Sequence, residues 1–386
     1  MDEFLNEVNS ENAAEVVTDA VNTAEGLNTA DAFPAPIAEV SEAPLEAPAA
    51  PEEMTPKEKA QEVRRWKARI RSEVNHVTAG FLAYYGVFNL VVGLLVVILL
   101  IPVIVAFVQK PTSFSEYVNN VMTVAANGLP YLVALPACIA VLWLILRRKV
   151  TFKEIFTRNE KMTVKAFFEI FAVFMAFQLL ATILDLGLTG LFSLLGFSGS
   201  TLSEVMGSVT MTDDIPMLLY AGFFGPIAEE IIFRGLLQTP LKKFGRFTAI
   251  VMTAILFGVM HMNLVQTLFA MGVGLVLGYV RDKYSITWAM LLHIINNALF
   301  GILLEKLCGL SGNPAVSEAV GWIWQSLLFA AGVGVIVFER EKIKAYFDEF
   351  KVEKDGRIAR KAPVYVLTVV LFMLAAVGMG LAIYMF

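Results

Sequence analysis

The sequence predicts an all-α fold: a polytopic transmembrane bundle of about nine helices behind a disordered acidic tail. Three observations carry that prediction. Of 386 residues, 57% are hydrophobic and 17% charged, whereas soluble domains carry about 25% charged residues. Mean hydropathy is +0.67. Apolar runs long enough to cross a bilayer recur along the chain, and the loops between them are alternately basic and almost free of Lys and Arg.

Residues 1–56 hold thirteen of the 35 acidic residues and no Lys or Arg, which leaves 22 acidic against 30 basic residues for the rest of the chain. Rich in Ala, Pro and Glu and poor in large apolar residues, this segment cannot bury enough surface to offset ordering entropy, so it reads as a disordered cytosolic tail. It has none of the marks of a signal peptide. From Lys57 the composition flips: residues 57–78 carry Lys57, Lys59, Arg64, Arg65, Lys67, Arg69 and Arg71 and predict a short basic helix at the inner membrane surface, with Trp66 as interface anchor. A basic cluster this short, directly before a span, argues against nucleic acid as partner. The partners expected are the lipid bilayer and a protein or peptide substrate.

The membrane-embedded domain, 79–386, contains apolar runs at 83–108, 124–146, 166–187, 216–238, 247–262, 264–280, 286–307, 320–338 and 364–386. The loops after the second (Arg147 to Lys165), fourth (Lys242, Lys243, Arg246), sixth (Arg281, Lys283) and eighth (Arg340 to Lys361) are basic. The excess of Lys and Arg on the cytoplasmic side puts the amino terminus inside and the carboxyl terminus outside. A multi-pass protein of the cell (plasma) membrane is expected. Glu169 and Asp185 lie near the ends of the third span and read as interfacial. The outer loop 188–215, with Asp213 and Asp214, is Gly/Ser/Thr-rich. Cys138 and Cys308 form no motif and read as reduced, unpaired thiols.

Charges at bilayer depth are costly and usually face a protein-lined cavity. The stretch Gly225 to Gly235 places Glu229, Glu230 and Arg234 inside an apolar run. At about 100° per residue, Glu230 and Arg234 share a helix face and can pair, while Glu229 points elsewhere and stays available. Pro226, with no N–H to donate, suits a first turn or a kink. Two of three histidines are also in the apolar body: His261 ends the fifth run and His293 lies within the seventh, with Asn297 four residues on. His76 precedes the first span and reads as a surface residue.

Singly, each group has a structural explanation: a hydrogen-bonded packing histidine, or a structural ion pair. A free carboxylate, two imidazoles and an amide on three separate runs together support hydrolysis of a peptide bond at the membrane. Glu229 would act as general base on a water, His261 would orient that water or assist proton transfer, and His293 and Asn297 would donate to the oxyanion. The same residues, His261 and His293 with one Glu, could instead hold a divalent metal such as zinc, although the helical His-Glu-x-x-His pattern is absent. The cofactor stays open.

Glu229-Glu230-x-x-x-Arg234, Phe257-x-x-x-His261 and His293-x-x-x-Asn297 follow one another in the fourth, fifth and seventh apolar runs. In that order they resemble the motifs of the CPBP family, the type II CAAX prenyl endopeptidases and their bacteriocin-processing, Abi-like relatives. The resemblance covers a protease-like core at 216–307. It implies an intramembrane peptidase with Glu229, His261, His293 and Asn297 in the active site and Glu230, Arg234 and Phe257 supporting it. A prenylated protein is one substrate it would suggest. The competing readings are a non-catalytic membrane scaffold or bacteriocin immunity factor that keeps the protease fold, and a transporter with a charged midplane site. The chain shows no internal repeat of the kind common in transporters.

Overall fold

A computed structural model describes residues 55–111, 113–197, 214–349 and 354–385. Nearly all of the expected acidic tail lies outside the described residues, as does most of the outer loop, Asp213 included.

Thr55 opens helix α1 (Pro56–Gln109) with a capping box to Glu58, and Pro56 occupies the first turn. No Gly or Pro follows before Gly80, so nothing ends the helix between its basic start and the first apolar run. The short surface helix expected over 57–78 is therefore the beginning of a 54-residue helix, about 80 Å long. Ile70, Val74, Val77, Phe81 and Tyr84 recur every three or four residues and are buried. This stripe seats the basic segment and the start of the apolar run on the same neighbours.

The second expected span is broken. Helix α2 (Phe114–Ala125) stops before Asn127 and Gly128, and α3 (Leu129–Leu146) restarts with Pro130 in its first turn. The break is held from a distance: Asp214 accepts from Gly128 N at 2.8 Å and from Asn127 Nδ2 at 3.3 Å, while capping Met217 N at 2.8 Å. A Cβ on Gly128 would lie 2.0 Å from Met217 N. Gly128→Ala must push these backbones apart and is expected to cost about 1–3 kcal/mol, read as a lower unfolding midpoint in detergent. Gly86→Ala, where a Cβ meets open space, should leave stability unchanged or slightly raised.

A short α4 (Phe152–Ile155) leads to α5 (Val164–Leu194), followed by α6 (Ile215–Phe244), α7 (Arg246–Val259), α8 (Leu264–Lys283), α9 (Ile286–Gly309) and α10 (Pro314–Phe338). Then come α11 (Arg340–Glu349), α12 (Lys354–Ala359) and α13 (Pro363–Met385). Among the described residues, 8 helical stretches are long and apolar enough to cross a membrane, α2 and α3 counting as one. The run expected at 247–262 forms α7, whose 14 residues reach about 21 Å. It ends at a turn in which Met262 is left-handed (φ 55°) and Asn263 caps α8.

α3 packs on α1, α8 on α7, and α10 on α5. The basic loops are tied together at one end of the bundle. Glu73 binds Lys149 at 2.5 Å and Lys243 at 3.3 Å, and Asp282 binds Lys242 at 2.6 Å and Arg246 at 2.7 Å. At the other end Asp185 accepts from Tyr384 OH, whose ring stacks on Phe192. Asp185 is only 3% exposed, which corrects the expectation that it reaches the headgroups; α13 covers it. Glu169 keeps partial exposure beside Lys165, and His76 is exposed as expected. Both cysteines are free thiols.

Candidate active site

Midway along α6 the backbone widens twice into π turns, Tyr220–Phe224 and Ile231–Leu237, on either side of Gly225–Glu230. In this register Gly225 N bonds Tyr220 O, five residues back. The next donor in line, for Ala221 O, would be Pro226, which has no N–H. That carbonyl is taken instead by Asn297 Nδ2 of α9 at 3.1 Å. Gly225 is suited to the turn, since a Cβ there would stand 2.8 Å from Tyr220 O.

The two adjacent carboxylates part as helical spacing predicts. Glu230 is fully buried: its Oε1 takes His293 Nδ1 at 2.9 Å and lies 3.2 Å from Arg234 Nη1. Arg234, equally buried, donates from Nη2 to Gly274 O at 3.2 Å and sits 4.4 Å over the Phe257 ring. Glu230 Oε2 and Arg234 Nε have no hydrogen-bond partner among the described residues. A buried pair left this incompletely satisfied adds little net stability, so its value lies in what it orients. Glu229 makes no hydrogen bond among the described residues and keeps 19% of its side chain exposed, with Oε2 3.6 Å from His293 Nε2.

These bonds set the tautomers. Because Glu230 accepts at Nδ1, the neutral His293 ring carries its proton there and turns the Nε2 lone pair toward Glu229. His261 Nδ1 donates to Phe257 O at 2.8 Å, which leaves its Nε2 bare as well. Both imidazoles meet the Phe257 ring edge-on, His261 at 5.2 Å and His293 at 5.8 Å. Phe257 is thus the hub on which both histidines and Arg234 are arranged.

The fold therefore gathers Glu229, Glu230, Arg234, Phe257, His261 and His293. No hydrogen bond joins His261 to either glutamate among the described residues. Asn297 stands about one turn beyond His293, within a π segment of α9 over Ile295–Leu303. Its amide is engaged with Ala221 O and Asn296 rather than with the ring. Sequence reasoning missed the chain that leads there: Gln178 Nε2 donates to Asn296 Oδ1 at 2.7 Å, and Asn296 Nδ2 to Asn297 Oδ1 at 2.8 Å. The available signal was an amide inside an apolar run, at Gln178 and again at Asn296. Gln178, Asn296 and Asn297 line a cavity of about 640 Å³ that extends to Asp185 and Gln325.

The residues present do not make a metal centre as arranged. Among the described residues no three His, Cys, Asp or Glu side chains converge as ligands, and Glu230 spends Oε1 on Arg234 and His293.

Fold and site together define a polytopic helical membrane protein with a cluster of ionisable groups midway along its helices. Residues 211–299 match the family described as type II CAAX prenyl endopeptidase Rce1-like, which supports the CPBP resemblance. That match spans the Glu-Glu, Phe-His and His-Asn motifs and points to a CAAX-type intramembrane protease. Neither a curated protein nor a solved structure matches the chain.

Proposed function

We propose that the protein is an endopeptidase that hydrolyses a peptide bond in a membrane-associated protein or peptide, a lipidated one among the candidates, by a water that Glu229 activates. The observation that carries this reading is the division of labour between neighbours: Glu230 is spent on Arg234 and His293, while Glu229 remains partly exposed opposite His293 Nε2. A carboxylate and an imidazole lone pair 3.6 Å apart are both acceptors, and a water bridging them satisfies both.

Glu229 takes one proton from that water as its oxygen attacks the scissile carbonyl. The oxyanion collects donors: the second N–H of Asn297, and His293 Nε2 when the proton on Glu229 moves across to it, the ring's positive charge balanced by Glu230, before that proton returns to Glu229. His261, with a bare Nε2, orients the water. Collapse of the tetrahedral adduct breaks the C–N bond, and the proton on Glu229 goes to the leaving amine, so water and peptide yield one acid and one amine. The basic end of the bundle is assigned to the cytosol and the host bilayer to the plasma membrane.

Purified chain in vesicles, given prenylated and unprenylated peptides in H₂¹⁸O, should release an acid fragment carrying one ¹⁸O. Absence of any cleavage across both peptide sets would count against the proposal. Cleavage of the unprenylated set alone would remove lipid from substrate recognition.

A further inference from the structure

Away from the catalytic cluster, the basic end of the bundle has a groove of about 510 Å³ between α1 and the end of α3. Ser72, Glu73 and His76 form one wall, Arg147, Arg148 and Lys149 the other. The charges are not equivalent. Lys149 is held by Glu73, which also binds Lys243, so that carboxylate is already neutralised. His76 Nε2 is 3.3 Å from Ile145 O. Arg147 and Arg148 have no ion pair or side-chain hydrogen bond among the described residues, and both are exposed. Two guanidiniums with all their donors free flank a hydroxyl and an ammonium.

The groove also has an apolar side. Leu144, in its lining, is 53% exposed and shares a face of α3 with exposed Leu129 and Val133. In a spanning helix such a stripe faces acyl chains, and it ends where the arginines begin. Apolar wall, then cations and a hydroxyl, is the order in which a phospholipid presents its tail and its phosphate. Basic pockets between membrane helices are suited to anionic headgroups, and guanidinium forks suit phosphate oxygens.

We propose that this groove binds the phosphate of an anionic phospholipid headgroup. Glu73, through Lys149 and Lys243, connects it to α6, the helix that carries Glu229. The assignment does not rest on protease activity.

The test is native mass spectrometry of the full chain in detergent with phosphatidylglycerol or phosphatidylcholine of identical acyl chains. The anionic lipid should be retained in preference, and Arg147→Gln with Arg148→Gln should weaken its retention by about 30-fold. Arg147→Lys with Arg148→Lys should keep most of it, which separates charge loss from misfolding. Arg340→Gln with Lys342→Gln, basic residues elsewhere, should change nothing. Equal retention of the two lipids, or retention unaffected by the Gln pair, overturns the proposal. Displacement of the lipid by millimolar inorganic phosphate would identify free phosphate as the ligand and overturn it too.

Discussion

Glu229→Gln is expected to lower kcat for peptide cleavage by about 10²- to 10⁴-fold, the usual worth of a positioned general base, with KM, membrane insertion and thermal stability nearly unchanged. Glutamine keeps the shape and removes the proton acceptor. Stability should survive because Glu229 makes no hydrogen bond among the described residues and is not sealed in: 19% of its side chain stays exposed, against 0% for Glu230. The same change one residue later should behave differently. Glu230→Gln removes the charge that balances Arg234 and weakens the acceptor for His293 Nδ1, so stability and activity fall together. The split is checked by measuring cleavage and unfolding midpoint on both variants. Retained activity in Glu229→Gln would remove this carboxylate from the chemistry. If instead both variants lost stability equally, the two carboxylates would share a structural role.

Much of this was legible because it follows from helical spacing. The Glu230–Arg234 pair and the separate direction of Glu229 follow from four-residue spacing, which holds although Arg234 lies in a π turn, and the observed 3.2 Å pair and the exposed Glu229 agree with it. The same rule says less about Asn297. His293 and Asn297 stand four residues apart in α9, yet the Asn297 amide is engaged by Ala221 O rather than by the ring. The reason lies in another helix, where Pro226 leaves Ala221 O without its donor. Spacing within one segment cannot report a backbone vacancy filled from another. Asp185 was misread for a similar reason, since depth along α5 gives no sign that Tyr384, about two hundred residues on, covers it. The basic start of α1 was separated from the span by composition, yet a helix ends at a breaker rather than at a change of charge.

Arg234→Met is expected to destabilise the protein by about 3–5 kcal/mol, the largest stability loss of any single change at the site. Methionine fills much of the volume and keeps contact with Phe257, but it strands Glu230 in an enclosure where neither oxygen reaches water. His293 is then the one group among the described residues left to compensate that charge, which would pull Nε2 out of its role toward Glu229. The double variant Glu230→Gln with Arg234→Met removes both charges and should recover most of the lost stability, because an incompletely hydrogen-bonded buried pair is close to neutral against an uncharged replacement. Activity should not recover with it. Gln can still accept from His293 Nδ1 but without a charge to balance an imidazolium, so cleavage should remain about 10- to 100-fold down, as for lost outer-shell partners of a working histidine. Unfolding midpoints and cleavage rates on the two single variants and the double one complete the cycle. Recovery of both quantities in the double variant would mean the buried pair is packing alone, with no bearing on how His293 presents Nε2 to Glu229.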